Sequence, residues 1–393
     1  MEKTPFLIWC LKILTSRGET PEKQYLSGMS TYINPHLILD SENVSPGTVG
    51  WRSPSNLAII KYWGKHGVQL PRNPSLSLTL SQAFTSTEID YRIGDSRQDG
   101  IQLDFLFHGE PNEPFRVRLG KFLESLTTIY PFLRQLHLTI RSENSFPHSA
   151  GIASSASAMS ALALCFCSME HRLFGTLEDD DRFRRKASYL ARLGSGSACR
   201  SVYAEAGFWG EHPEIEGSSD EYAVGVKDEL HETFRTYCND ILIVSSDKKS
   251  VSSTAGHGLM DGHPYARARF DNAHRRVGRL LRALRTGDVE DFGVLCESEA
   301  LTLHGLMMSS VPAFMLLLPG TIEIINRIHT FRADTGLPLY FSLDAGPNPH
   351  LLYPLSIQSE VRKFMSSELL TFCEDGRFIE DRVGEGPEEL IEE

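Results

Sequence analysis

Between Asn56 and Lys65 the chain reads Asn-Leu-Ala-Ile-Ile-Lys-Tyr-Trp-Gly-Lys, an apolar run that ends in two lysines and an amphipathic tyrosine. Residues of that composition favour a buried strand. A strand of this kind cannot carry lysines into a core without partners, because an unpaired buried charge is costly. The strand must therefore end at a cleft or at the surface, with two cations and a phenol grouped at its exit. Such a group is suited to holding a polyanion.

The punctuation of the remaining chain places further elements. Residues 56–62 and 75–80 read as strands joined by a loop containing Pro71, Asn73 and Pro74, and His137 to Arg141 as another strand. From Ser154 to about Arg172 the sequence is rich in Ala, Ser, Leu and Met without Gly or Pro, which suits a closely packed helix. Glu211 to Asp220 reads as a surface loop, Ile241 to Val244 as a buried strand and Arg267 to Arg285 as an exposed, arginine-rich helix. Leu339 to Leu343 is a strand running into Asp344, and the acidic tail from Glu374 is expected to fray. Strands and helices mix without a regular βαβ alternation, so the fold class expected is α+β.

The 393 residues suffice for one bilobal unit or two domains, and 41% of them are hydrophobic. A net charge of -12 argues against a nucleic-acid partner, which needs clustered Lys and Arg. A single anionic metabolite needs only a local cationic pocket. The seven cysteines are odd in number and form no CxxC pair, which fits free thiols in a reducing compartment. The apolar stretch from Pro5 to Leu14 is interrupted by Lys12 and is too short to span a bilayer, so no membrane partner is expected and the location expected is cytoplasmic. Residues 1–30 read as an extension, disordered or not made, with Met29 as an alternative start.

Three further blocks could carry chemistry. Gly151-Ile152-Ala153-Ser154-Ser155-Ala156 precedes the Ala-rich helix, where free backbone N–H groups and the helix dipole favour phosphate; taken alone it also fits a Ser-capped core helix. Ser195, Ser197, Arg200 and Ser201 are spaced so that, in a helix, Ser197 meets Arg200 at i+3 and Ser201 at i+4, and one face offers hydroxyls and a guanidinium able to fork onto a carboxylate. A helix cap with a surface arginine is the plainer alternative. Asp344 ends an apolar strand and enters a Gly-Pro turn, as a general base or as a turn cap. Asp334-Thr335-Gly336 reads as a turn, Cys165-Phe166-Cys167 as core, and His263, His274 and His304 lack metal-ligand spacing, so no metal site is expected among them.

In this order, over roughly residues 48 to 355, the four blocks resemble the motif set of the diphosphomevalonate decarboxylases of the GHMP kinase superfamily. The resemblance implies a two-lobed fold with the active site in the inter-lobe cleft, an N-terminal ATP-binding lobe at 31–235, a C-terminal lobe at 236–375 and an acidic tail at 376–393. It implies ATP and Mg2+ as cofactors, a phosphorylated mevalonate as the small-molecule partner, and a homodimer. Asp344, Lys61 and Arg200 take the catalytic positions; Asn56, Tyr62, Lys65, Ser195, Ser197, Arg200, Ser253 and Thr254 those around the substrate; Gly151, Ala153, Ser154 and Ser155 those around ATP. Where the family usually has Gly-Met, this chain has Gly256-His257. That departure leaves a 5-phosphomevalonate decarboxylase as the nearest alternative, followed by a small-molecule kinase and a noncatalytic ligand-binding member of the fold.

Overall fold

The computed structural model describes residues 32–40, 44–146, 154–247 and 251–391. Gly151, Ala153 and the extension at 1–30 lie outside the described residues. An eight-stranded sheet carries the first half of the chain together with one strand of the tail, β14 (Glu388–Glu389), in the order β14-β1-β4-β7-β5-β6, with β8 and then β9 extending from β4. Its long strands are β1 (Gly47–Ile60), β4 (Ser75–Ile93) and β7 (Leu136–Asn144), joined by the shorter β5 (Gln102–Phe107), β6 (Glu110–Pro111), β8 (Ala206–Trp209) and β9 (Ala223–Gly225). A two-stranded hairpin, β2 (Lys65–His66) with β3 (Leu70–Pro71), stands apart at the exit of β1.

The sequence accounts for these pairings. The second half of β1, from Asn56 to Ile60, is buried throughout, as its apolar run requires. In the later part of β4, buried and half-buried residues alternate from Ala83 to Tyr91, the period of a strand with one face on a core. Register shifts at Pro54/Asn56 and Ala58/Ile60 mark bulges where β1 runs beside β4.

Three helices cover one side of this sheet: α1 (Glu113–Leu126), α2 (Ser154–Phe174) and α3 (Asp180–Gly194). The small residues of α2 let it lie close against β1 and β4, with Ala156, Ser157, Ser160 and Ala161 fully buried. Asp179 caps α3 by accepting from the Arg182 amide, and Asp180 and Asp181 follow in the first turn, where acids favour the helix dipole.

The second half has its own four-stranded sheet, in the order β11-β12-β10-β13, from β10 (Cys238–Leu242), β11 (Tyr340–Ser342), β12 (His350–Tyr353) and β13 (Phe378–Ile379). The short α4 (Ser253–Gly258) precedes α5 (Ala266–Thr286), α6 (Val289–Met308) and α7 (Pro319–Thr335). Helix α6 packs against both β1 and β11, one element of each half, and so fixes the relation between the two strand ends that carry Lys61 and Asp344.

Two expectations are corrected. The arginine-rich α5 is not simply exposed: Arg269, Ala273, Val277, Leu280 and Leu284 form a buried stripe, Arg276 is half-buried against Glu299, and the remaining arginines face outward. The acidic tail does not fray over its described length. Its strand β14 (Glu388–Glu389) pairs with Trp51 and Arg52 of β1, and Arg172 donates to the Ile391 carbonyl at 2.7 Å. Of the charges that suggested a solvated tail, Glu388 pairs with Arg52 and Glu389 with Arg172.

Candidate active site

Lys61 is the first residue beyond β1, and its side chain is 2% exposed. Its ammonium donates to Asp344 Oδ1 at 2.9 Å and to Ser342 Oγ at 3.0 Å. The backbone beneath it is held as firmly. The Lys61 amide donates to Glu299 Oε2 at 2.9 Å, and its carbonyl accepts from Arg269 at 2.7 Å and Asn73 at 3.1 Å. Glu299, fully buried on α6, is paired with Arg269 at 2.7 Å and also with Arg276. Burial opposes its ionisation, but Arg269, the Lys61 amide and Arg276 outweigh that and hold the carboxyl below its ordinary range.

Asp344 leaves β11 and enters a turn tied down behind it. Its carbonyl accepts from the Gly346 amide at 2.7 Å and from His304 Nε2 at 3.1 Å. Asn348 closes the turn by accepting from the Val244 and Ser245 amides. The position expected for a general base is therefore occupied by a carboxylate that is fixed, partly exposed and paired with an ammonium.

Arg200 is 1% exposed, which excludes the surface-arginine reading. Its segment is a 3-10 helix, Gly196–Val202, rather than an α-helix, so Ser197 and Arg200, three apart, keep one side while Ser201 does not join them. Ser195 precedes the helix in extended conformation, and the Ser201 hydroxyl is buried and accepts from Asn56 at 2.7 Å. The guanidinium donates to Ser77 at 3.0 Å, Ser75 at 2.6 Å and Asn56 at 3.4 Å. Three of the five donors of a guanidinium are thus used, leaving one hydrogen on each terminal nitrogen. No carboxylate lies within ion-pair distance of Arg200 among the described residues, and burial lowers its pKa.

Tyr62 packs against Trp209 and His257, with ring centroids 4.7 and 4.3 Å away. Its hydroxyl is buried without a hydrogen-bond partner, and burial pushes the phenol's pKa well up, so the group is a neutral donor. Gly196 makes room for it: a Cβ there would meet the Tyr62 ring and hydroxyl at 2.8 Å. Lys65 opens the β2-β3 hairpin, half-buried, with Gln69 Oε1 at 3.0 Å as acceptor and its pKa lowered by burial.

A cavity of about 560 Å3 joins these groups. Asn56, Lys61, Tyr62, Lys65, Ser154, Ser155, Ser195, Ser197, Arg200, Ser253, Thr254 and Asp344 all line it. Each expected site residue that is described therefore meets the same space. Ser154 starts α2, and Ser155 lies 3.2 Å from Ser195, hydroxyl to hydroxyl. Ser253 and Thr254 stand on the rim, in the first turn of α4.

Other residues were not found from sequence. Glu299, Arg269, Asn73 and Ser342 fix the Lys61 end, and no local pattern marks a glutamate inside an apolar helix as the anchor of a distant strand. Ser75 and Ser77 did leave a signal, a serine on alternate positions of a strand, which puts both hydroxyls on one face. A second limb of the cavity is lined by Phe105, Phe107, Phe115, Arg118, Phe122 and Met159. Phe115 and Phe122 share a face of α1, a spacing that in sequence reads equally as core.

Comparison with known proteins places the arrangement. A model described as the diphosphomevalonate decarboxylase-like N-terminal domain matches residues 53–222. A second, the mevalonate 5-diphosphate decarboxylase C-terminal domain, matches residues 240–387. The diphosphomevalonate decarboxylase of Schizosaccharomyces pombe is 32% identical over 326 residues, 79% of each chain, and that of Eremothecium gossypii 30% over 331 residues, 80% of each. The chain belongs to the diphosphomevalonate decarboxylase family. Among solved structures, the Staphylococcus aureus mevalonate diphosphate decarboxylase superposes with a TM-score of 0.74 at 26% identity, covering 88% of this chain and 99% of that one. A structure of MDDEF in complex with MVAPP, AMPPCP and magnesium gives the same score at 27% identity and the same coverage. In the two-lobed fold of this family, the Lys61–Asp344 pair joins strand ends of the two halves.

Among the described residues no group of three or more His, Cys, Asp and Glu could hold a metal ion. The oxygen donors on the cavity wall, the Ser154 and Ser155 hydroxyls and the Asp344 carboxylate, are the hard type that suits Mg2+ once phosphates supply the remaining ligands.

Proposed function

We propose that this chain is a diphosphomevalonate decarboxylase that converts ATP and diphosphomevalonate into isopentenyl diphosphate, ADP, phosphate and CO2. The observation that carries the reading is the Lys61–Asp344 ion pair at 2.9 Å, on the wall of the cavity that also contains Arg200. Asp344 takes the proton of the tertiary hydroxyl as that oxygen attacks the γ-phosphoryl group of ATP, and ADP leaves. The C–C bond to the carboxylate then breaks, and its electron pair forms the new C=C bond as phosphate departs. Arg200, with one hydrogen free on each terminal nitrogen, orients the substrate carboxylate. Lys61 keeps Asp344 aimed and offsets negative charge that develops beside it.

The phosphorylated end of the substrate lies against Tyr62, Lys65, Ser253 and Thr254, with Asn56, Ser195 and Ser197 around its middle. Ser154 and Ser155, with the preceding Gly151 and Ala153, hold the ATP phosphates, and the aromatic limb accommodates the base. The Ser154 and Ser155 hydroxyls would help to hold Mg2+, which would neutralise phosphate charge. We place the enzyme in the cytoplasm as a homodimer. The six described cysteines are free thiols, in keeping with a reducing compartment, and Met308, Val311 and Met315 form an exposed apolar group suited to self-association.

Steady-state assays of CO2 release with ATP and either diphosphomevalonate or 5-phosphomevalonate test the reading. The diphosphate substrate should have the higher kcat/KM, and Lys65→Ala should reduce that value more for the diphosphate, by about 1–3 kcal/mol. A preference for the monophosphate with equal losses in the variant would assign the chain to 5-phosphomevalonate instead.

A further inference from the structure

His257 stands where the family motif usually has Met, and its ring is on the cavity wall. It lies in α4, 8% exposed, with its ring 4.3 Å from Tyr62 and 4.7 Å from Trp63 between centroids. The Gly64 amide donates to its Nδ1 at 3.0 Å. Gly64 has a φ of +99°, a conformation open to glycine, and this turns its N–H toward the ring. An amide can only donate, so Nδ1 must carry a lone pair.

Burial, reinforced by the Lys65 charge, lowers the imidazole's pKa to about 3. Near neutral pH the ring therefore holds a single proton, on Nε2. No acceptor for that proton occurs among the described residues, yet Nε2 is not one of the sealed polar atoms and the ring lines the cavity. Beside it stands the half-buried Lys65 ammonium, whose charge acts on the ring. One neutral donor and one cation thus face the cavity together, and Gln69 Oε1 is the one acceptor bonded to either among the described residues. A second cation in that place would be repelled by Lys65, whereas a neutral N–H adds a donor without adding a charge to desolvate.

We propose that His257 is a substrate-binding residue whose Nε2–H donates to a phosphate oxygen of the phosphorylated end, beside Tyr62 and Lys65. The assignment rests on the functional reading above, which puts that end of the substrate at this wall. Its ligand chemistry is a phosphate or diphosphate ester held by one charge and several neutral donors.

Two substitutions separate donation from packing. His257→Asn keeps an oxygen near Nδ1 for the Gly64 amide but has no donor at the Nε2 position; His257→Gln keeps an N–H near Nε2 and loses the Gly64 acceptor. The Asn variant should raise KM for diphosphomevalonate about tenfold, with kcat and KM for ATP within about twofold, while Gln retains most of the affinity. An Asn variant with wild-type KM, or equal losses in both variants, overturns the proposal. A wild-type enzyme that shows no decarboxylation of either phosphorylated mevalonate overturns the functional reading and this proposal with it. Should neither variant fold, the imidazole N–H resonance of His257 in wild type labelled with 15N-histidine decides. It should move when diphosphomevalonate is added, and an unmoved resonance overturns the assignment.

Discussion

Lys61 and Lys65 leave the same strand four residues apart, and the protein treats them in opposite ways. Around Lys61 every charge and backbone group has a protein partner: Asp344 and Ser342 on the ammonium, Glu299 on the amide, Arg269 and Asn73 on the carbonyl. Around Lys65 the donors outnumber the acceptors. Among the described residues Gln69 alone answers the ammonium, and the Tyr62 hydroxyl has no hydrogen-bond partner. The first end is organised before any ligand arrives, as a reacting centre must be. The second holds desolvated donors whose favourable interactions come with the substrate. The strand exit thus joins a prebuilt catalytic end to a binding end completed by the ligand.

Substitutions at the two ends should differ in kind. Asp344→Asn should lower kcat by about 10²- to 10⁴-fold while KM for both substrates stays within a few-fold, because loss of a general base acts on the transition state. Near-normal turnover would remove Asp344 from the mechanism. Glu299→Ala strands Arg269 in the interior and should cost about 3–5 kcal/mol of unfolding free energy in urea titration. Lys65→Ala removes a charge with no carboxylate partner and should stay within about 0.5 kcal/mol of wild type. Equal destabilisation by both would break the contrast between the two ends. Arg200→Lys, read by kcat/KM, should cost about tenfold, since an ammonium cannot span two serines and a ligand as the planar fork does.

Stability should also depend on pH. The folded pKa of His257 lies near 3, below its ordinary 6.5, so the unfolded chain binds the proton more tightly. Stability should fall as pH drops from about 6.5 toward 3, by up to about 1.4 kcal/mol per unit from this group. His257→Asn should make the decline of Tm between pH 6.5 and 4.5 shallower. An unchanged slope would mean that the ring is not neutral in the folded state.

How much of this was legible in the sequence follows from the range of the forces involved. The Asn56–Lys65 run, the Ala-rich helix and the strand into Asp344 carry local patterns, and all three elements form over them, although β1 starts nine residues before 56 and stops at Ile60. The meeting of Lys61 and Asp344 spans 283 residues and depends on α6, whose buried Glu299 has no local signature. Arg200 was found as a residue but placed on the wrong kind of helix. Spacing of three and four fits an α-helix, whereas the short 3-10 turn is set by packing of Cys199 and Trp209 at its base. The tail misled for a related reason, since its partners Arg52 and Arg172 are remote in sequence.

Decarboxylation coupled to phosphoryl transfer is tested most directly by product stoichiometry. Purified full-length protein with ATP, Mg2+ and diphosphomevalonate should release ADP and CO2 in equal amounts, and Asp344→Asn should suppress both together. ADP formed without CO2, or CO2 release that survives in Asp344→Asn, would contradict the mechanism.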